Sequence, residues 1–369
     1  MSERKNMRGH DLTGAKLTGA DLTGADLTGA NLTHADLTGA DLTGADLRSA
    51  NLRSANLTNA KLIDADLRSA NLTRTDLTYA KLNGANLAGA NLTSAKLEGV
   101  DLTGANLPNA NLSGKHLNSA NLTHANLTYA NLLNADLTYA KLNGANLAGA
   151  KLEGAKLEGA DLPRADLAGI NLLNVDLARA NLPRANLAGA KLEGTTLYRA
   201  NLTGANLTRA SLSFTSMSGA NLADANLADA NLAGANLTDA NLTGANLVRA
   251  NLTNASLSGA NLTDANLAGA DLWRASLSRA ILLSANLVGA NLLNADLSNA
   301  NLNGANLTRA YLARASLFRA KLEGTDMFHA NLRYANLNSA HLNGAHLLNA
   351  DLTYAKLTGA TMPDGSIHD

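Results

Sequence analysis

The sequence predicts an all-β solenoid built of stacked coils, and three observations predict it. Leu occupies one position in every five from Leu12 onward, Ala falls two residues before it from Ala15 onward, and no insertion interrupts the count. Extended outward, the first centre is Met7 and the last is Met362, seventy-two in one unbroken register. Every centre is Leu except Met7, Met217, Met327 and Met362.

A period of five matches neither the 3.6 of a helix nor the 2.0 of a flat strand. Wound as a helix, it would move Leu by about 140° per repeat and leave no apolar face. A backbone that turns a corner every five residues instead brings every Leu to an equivalent inward position. Four such sides make a square coil of 20 residues. The segment DLTYAKLNGANLAGA supports that coil independently, because it occurs at 76–90 and again at 136–150, three whole coils on. About eighteen coils at about 4.8 Å each predict a rod of about 86 Å.

Each position of the repeat follows from this geometry. Leu fills the axis, and its burial is worth about 1.5–3 kcal/mol per residue. Ala points inward near the corner, where only a small side chain fits. This explains a chain that is 46% hydrophobic but only 3% aromatic. Gly, Ser or Asn often stands at the turn, as in LTGA, LRSA and LTNA, conformations that Gly and Asn tolerate. The residue before Leu forms columns such as Asn31, Asn51, Asn71, Asn91, Asn111 and Asn131, whose amides are placed to hydrogen-bond along the stack. Pro163 and Pro183 lie one coil apart, at a position whose N–H the ladder does not require. The organisation expected is a leader at 1–5, one repeat domain at 6–362 and a short tail at 363–369.

The units ADLTG, ANLTG, AKLEG and ANLAG match an A(D/N)LXX consensus over residues 6–362. In this the chain resembles the pentapeptide repeat family, and its length and its ending MPDG are similar to cyanobacterial members. The resemblance implies a right-handed quadrilateral β-helix; the spacing alone does not give the hand.

Nine of the Ala positions depart from the pattern: His10, Thr75, Val100, Lys115, Ile170, Val175, Thr195, Thr215 and Thr325. Five of them (75, 115, 175, 195 and 215) fall on one inner edge. Threonine hydroxyls there are expected to bond to local backbone. The enlarged residues are expected to be tolerated in place; the alternative is a bent or widened stretch around Val175, Thr195 and Thr215, with Met217 beside it. An unpaired buried ammonium is too costly to keep, so Lys115 is expected to send its amine toward solvent or to bulge the backbone at Gly114–Lys115.

Composition bounds the function. Lys plus Arg and Asp plus Glu number 30 each, so no global field recruits nucleic acid or an anionic membrane. Without cysteine there is no disulfide framework and no thiolate. The opening MSERKNMRGHDL has no apolar core of a signal peptide, and no run of about 20 apolar residues is present. A cytoplasmic protein without a membrane partner is the expectation. A Leu-filled rod offers no concave site for catalysis. No phosphate-loop, dinucleotide or HExxH spacing occurs, and the nearest histidine group is His329, His341 and His346. No enzyme activity, cofactor or metal is expected.

The expected role is a non-catalytic scaffold for an unidentified protein partner. The candidate surface lies at 270–355, where the residue after Leu becomes apolar or aromatic: Trp273, Val288, Leu293, Phe318, Phe328 and Leu348. Turn positions nearby carry Arg309, Arg314, Arg319, Tyr334 and Tyr354, the aromatic and arginine content of interfaces. The first coils are mildly acidic through Asp11, Asp21, Asp26, Asp36, Asp41 and Asp46, offset in part by Arg4, Lys5 and Arg8. The open ends predict end-to-end association or capping by a partner. Two alternatives are weaker. The resemblance implies DNA mimicry toward a type II topoisomerase in some members, but that role needs an acidic rod. Ice or surface binding needs flat threonine arrays, yet the columns Thr13–Thr33 and Thr23–Thr43 run on into Arg53 and Ile63.

Overall fold

The structure is a computed structural model that describes residues 5–369. The expected leader therefore lies outside the described residues except for Lys5. Each repeat closes a β-turn around its inward leucine: the Ala15 amide donates to the Leu12 carbonyl at 3.0 Å, and Ala35 repeats this to Leu32 at 3.0 Å. The third residue of each turn has positive φ, +66° at Gly14 and +57° at His34. That is the requirement of a type II-like turn, which Gly and Asn meet most easily. Arg, Tyr, Ser and Phe hold the same conformation at other corners, at a cost of about 1–2 kcal/mol each.

Four of the five amides in a repeat are satisfied by backbone. Besides the turn bond, Leu12 N donates to Asn31 O (2.7 Å) and Gly14 N to Thr33 O (2.8 Å), while Asn31 N donates back to His10 O (2.9 Å). The fifth amide, of the residue after Leu, is taken by the side chain two residues before it. Thr13 N donates to Asp11 Oδ1 at 3.1 Å, and Thr33 N to Asn31 Oδ1 at 3.2 Å. Only Asp and Asn reach that amide with a planar oxygen, which explains their dominance before Leu. Pro108, Pro163, Pro183 and Pro363 all sit where this fifth amide would be, so none removes a donor of the ladder.

Parallel bridges link each residue before Leu to its counterpart twenty residues on, such as Asn31↔Asn51 and Asn226↔Asn246. The pairs are isolated bridges rather than long strands. Twenty residues at five per turn give four sides to each coil. The chain divides into two compact units, Met1–Asn181 and Leu182–Asp369. Inside the first, bridges run from Asn6↔Asp26 to Asp161↔Asn181; inside the second, from Asn186↔Asn206 to His341↔Thr361.

In both units the axis is dry. Leu27 to Leu82 and Leu182 to Leu342 are buried almost without exception, as are Met217 and Met327. The asparagine columns bond as expected, though not at every step: Asn51 Nδ2 to Asn31 Oδ1 at 3.3 Å, Asn71 to Asn51 at 3.0 Å, Asn246 to Asn226 at 3.0 Å. The threonines at Ala positions are buried; the hydroxyls of Thr215 and Thr325 bond within their own turns, and that of Thr75 reaches the preceding coil. Thr75 Oγ1 reaches Leu52 O at 2.8 Å, Thr215 reaches Leu212 O at 2.7 Å, and Thr325 reaches Leu322 O at 2.7 Å. Val175 is also buried, and the Thr195 amide keeps its turn bond to Leu192 O at 3.0 Å.

Lys115 breaks the regular stack. Its amine donates to Ala95 O at 3.1 Å, and the residue is half-buried rather than enclosed. Among the described residues no bridge joins Asn91 to Asn111 or Lys96 to His116. Pairing resumes at Asn86↔Asn106 on one side and Asp101↔Asn121 on the other. Burial pushes the Lys115 ammonium below the usual lysine range, with Glu98 opposing the shift.

The tail folds back on the last coil. Thr361 bridges Ile367 antiparallel, Met362 N donates to Ser366 O at 2.7 Å, and Gly359 N donates to His368 O at 2.8 Å. A short hairpin, where no helix was expected, thus pairs one side of the terminal edge.

Candidate functional site

The expected surface falls in the second unit, and the twenty-residue register decides which of its members meet. Arg274, Arg314, Tyr334 and Tyr354 lie on one corner, all with φ between +54° and +60°. A side chain on a left-handed corner projects away from the coil, so such residues form a ridge. Tyr334 and Tyr354 stack with centroids 4.9 Å apart and planes 15° from parallel. The guanidinium groups of Arg314 and Arg333 lie 5.9 and 6.0 Å from the Tyr334 ring, and Arg274 lies 4.3 Å from Trp273. Both tyrosines are well exposed, at 50% and 69%. Trp273 and Leu293 are half-buried beside the ridge.

The remaining members lie elsewhere. Val288, Phe328 and Leu348 share the next side with Arg309. There Phe328 meets the His329 ring edge-on at 4.1 Å, and Leu348 is 68% exposed. Phe318 and Arg319 form a third corner, with the guanidinium 5.0 Å from the ring. The surface expected from sequence is therefore three stripes, of which the Arg274–Tyr354 ridge is the most continuous. Tyr311, 58% exposed, belongs to the side that carries Trp273 and was not singled out from sequence. Its signal was an aromatic residue standing in a column otherwise held by Asn and Asp, at 271, 291, 331 and 351.

The electrostatics of the ridge differ from its formal composition. Asp271 accepts from Trp273 N at 3.1 Å and from Asn291 Nδ2 at 2.9 Å, so its carboxylate serves the turn and the column. Asp351 accepts from Thr353 and pairs with Arg333 at 3.2 Å; the Thr353 hydrogen bonds hold its carboxyl below the usual range. Among the described residues no ion pair engages Arg274 or Arg314. The ridge therefore presents unpaired guanidinium groups and aromatic rings together. No group of three or more His, Asp or Glu among the described residues is placed to hold a metal ion, so His329, His341 and His346 form no such cluster. Among the described residues no helix is long and apolar enough to cross a membrane.

A coil closed every twenty residues by four β-turns, with Leu inside and Asx-capped turns outside, defines a parallel β-solenoid. The family described as Pentapeptide repeats (8 copies) matches this chain in successive segments from residues 11–48 to 330–364. The chain belongs to the pentapeptide repeat family.

Among solved structures it is similar to HetL, a pentapeptide repeat protein involved in heterocyst differentiation regulation in the cyanobacterium Nostoc sp. strain PCC 7120. That match has 39% identity over 58% of this chain and 91% of HetL, with a TM-score of 0.31. A pentapeptide repeat protein of the cyanobacterium Cyanothece 51142 matches at 37% identity over 26% of this chain and 64% of its own, with a TM-score of 0.24. Another, from the Arabidopsis thaliana thylakoid lumen, matches at 28% identity over 31% and 69%, with a TM-score of 0.14. No curated protein matches this chain by sequence.

Proposed function

We propose that this chain is a non-catalytic scaffold that binds a protein partner along the second unit, chiefly through the Arg274–Tyr354 ridge. The observation that carries the reading is the stacked and exposed pair Tyr334–Tyr354, with Arg314 and Arg333 beside it. Aromatic rings and arginines are the residues that most often dominate binding energy at interfaces. A rigid backbone presents them at little entropic cost, since every ridge residue is fixed by a turn on either side. The finer form of the fold that fits this reading is a right-handed quadrilateral β-helix of about eighteen coils, at work in the cytoplasm. Half-buried leucines in the end coils, Leu12 and Leu17 at one and Leu352 and Leu357 at the other, support association with a second copy. Net charge of zero weighs against mimicry of DNA.

The test is affinity capture from the native cells with wild-type protein and a Tyr334→Ala/Tyr354→Ala variant of equal thermal stability. A partner then reconstituted in pure form should bind the variant at least about tenfold more weakly, the effect of losing an interface hot spot. Equal affinity for both proteins would refute the ridge as the binding surface. Light scattering at micromolar concentration tests the second copy: a strict monomer counts against it.

A further inference from the structure

Lys115 occupies a position that the fold reserves for alanine, and its effect reaches beyond its own side chain. Where the register is regular, the carbonyl at an Ala position accepts from the amide twenty-one residues on, as Ala55 O does from Asp76 N at 3.0 Å and Lys115 O from Asp136 N at 2.9 Å. By that rule Ala95 O would receive the His116 amide. It receives Lys115 Nζ instead, at 3.1 Å. A side-chain ammonium has displaced a ladder amide, and the two coils part around it. Among the described residues the amides of Leu92, Ser94, Leu97 and Gly99 have no acceptor in the next coil, whereas their counterparts one coil on do.

The parting leaves a cavity of about 330 Å³ lined by Thr93, Ser94, Asn111, Ser113, Gly114 and Lys115. Its chemistry is lopsided. The lining supplies an ammonium, three hydroxyl or amide side chains besides Ser113, and backbone amides released from the ladder, but no carboxylate. Glu98 is the carboxylate within electrostatic reach of Lys115, yet it does not line the cavity and forms no ion pair with the amine. The volume lies at the lower end of ligand sites, about 300–1,000 Å³. The lining is exposed except for the half-buried Lys115, and an ammonium beside a ladder amide that has lost its acceptor favours an anion that accepts from both at once.

We propose that the seam opened by Lys115 binds a small anion through a carboxylate or phosphate group, with Lys115 Nζ as the counter-charge and the Ser94 amide among the donors. Ala in place of Lys115 restores the repeat consensus, so the variant that removes the site keeps the fold. The experiment is a titration of the full chain with sodium phosphate and, separately, sodium acetate at constant ionic strength, followed by amide NMR shifts. The expected result is saturable shifts confined to 91–99 and 111–118, with the tighter of the two salts naming the group. Lys115→Ala should weaken binding at least about tenfold and Lys115→Arg should retain it, because the charge-assisted bond is the part removed. Hydrogen exchange at Leu92, Ser94 and Leu97 should slow in Lys115→Ala as the ladder closes. Absence of saturable shifts with either salt, or shifts of equal affinity in Lys115→Ala, would overturn the proposal.

Discussion

The ring of Tyr79 lies over Gly99, one coil on, so closely that a Cβ on Gly99 would stand 2.5 Å from the ring carbons Cδ1 and Cε1. The same pairing recurs at Tyr129 with Gly149, Tyr139 with Gly159 and Phe214 with Gly234. A side chain on a left-handed corner leans toward the following coil, and a bulky ring needs that corner bare. Among the tyrosine and phenylalanine corners, Tyr334 is the exception, since it meets Tyr354 and stacks upon it. Gly99→Ala is therefore expected to cost more than Gly19→Ala, whose Cβ would meet nothing within 4 Å. Both share the left-handed penalty of about 1 kcal/mol, but only the first displaces a ring. Urea midpoints of the two variants, and of Gly99→Ala in a Tyr79→Ala background, measure the difference. Equal losses in all three would show that the ring does not press on the glycine.

Proline should be welcome at one position of the repeat and excluded from the next but one. The residue after Leu takes the second place of a type II-like turn, where Pro is favoured, and its amide serves only an Asx side chain. Ala223→Pro, which forfeits the 3.2 Å bond to Asn221 Oδ1, should stay within about 1 kcal/mol of wild type. Ala225→Pro, which removes the 3.0 Å turn bond to Leu222 O, should lose about 3 kcal/mol or more. Thermal unfolding of the pair decides the matter, and similar melting temperatures would contradict the hydrogen-bond scheme.

Acid should loosen the first unit. The Arg48 guanidinium, bonded to Asp46 Oδ2 at 2.5 Å, holds the Asp46 carboxyl at about 2, down from 3.8. Hydrogen bonds from Thr13 and Thr38 lower Asp11 and Asp36 in the same direction. A carboxyl depressed in the folded state contributes stability that is present above its unfolded value and is lost as pH falls through the folded one. The urea midpoint should hold from pH 7 to about 4 and fall between about 4 and 2. Asp46→Asn should show a shallower fall, and a midpoint independent of pH across that window would contradict the assignment.

Much of this architecture was legible in the residues because one period governs the whole core. Leu12 and Leu32 must be equivalent if any five-residue coil exists, and the duplication at 76–90 and 136–150 makes sense only in whole coils. The hydroxyl of Thr215 was also legible, bonding to Leu212 O of its own turn, whereas that of Thr75 turns to Leu52 O of the preceding coil, a choice that spacing does not contain. Lys115 was readable as an anomaly but not as a wedge. Whether its amine would leave for solvent or take a carbonyl from the ladder depends on a balance of desolvation and hydrogen bonding that spacing does not contain. The candidate ridge was legible only as residue types. Register, once known, separates Tyr334 and Arg314 from Phe318 and Leu348, which sequence proximity had grouped. The aromatic-over-glycine pairs were visible all along as Tyr79–Gly99 and Tyr129–Gly149, but they gain meaning only from the direction in which a left-handed corner points.

The twenty-residue coil is the claim on which the rest depends, and a chain without cysteine allows it to be probed by paired cysteines. Thr243 and Thr263 stand one coil apart, with Gly244 N bonded to Thr263 O at 2.9 Å. Neighbouring strands lie about 4.8 Å apart, inside the Cα separation of about 4.4–6.8 Å that a disulfide spans. Thr243→Cys/Thr263→Cys should oxidise rapidly and completely to an intramolecular disulfide, and Thr243→Cys/Ser258→Cys, on different sides of the coil, should not. Equal oxidation of the two pairs, or faster oxidation of the second, would contradict the account.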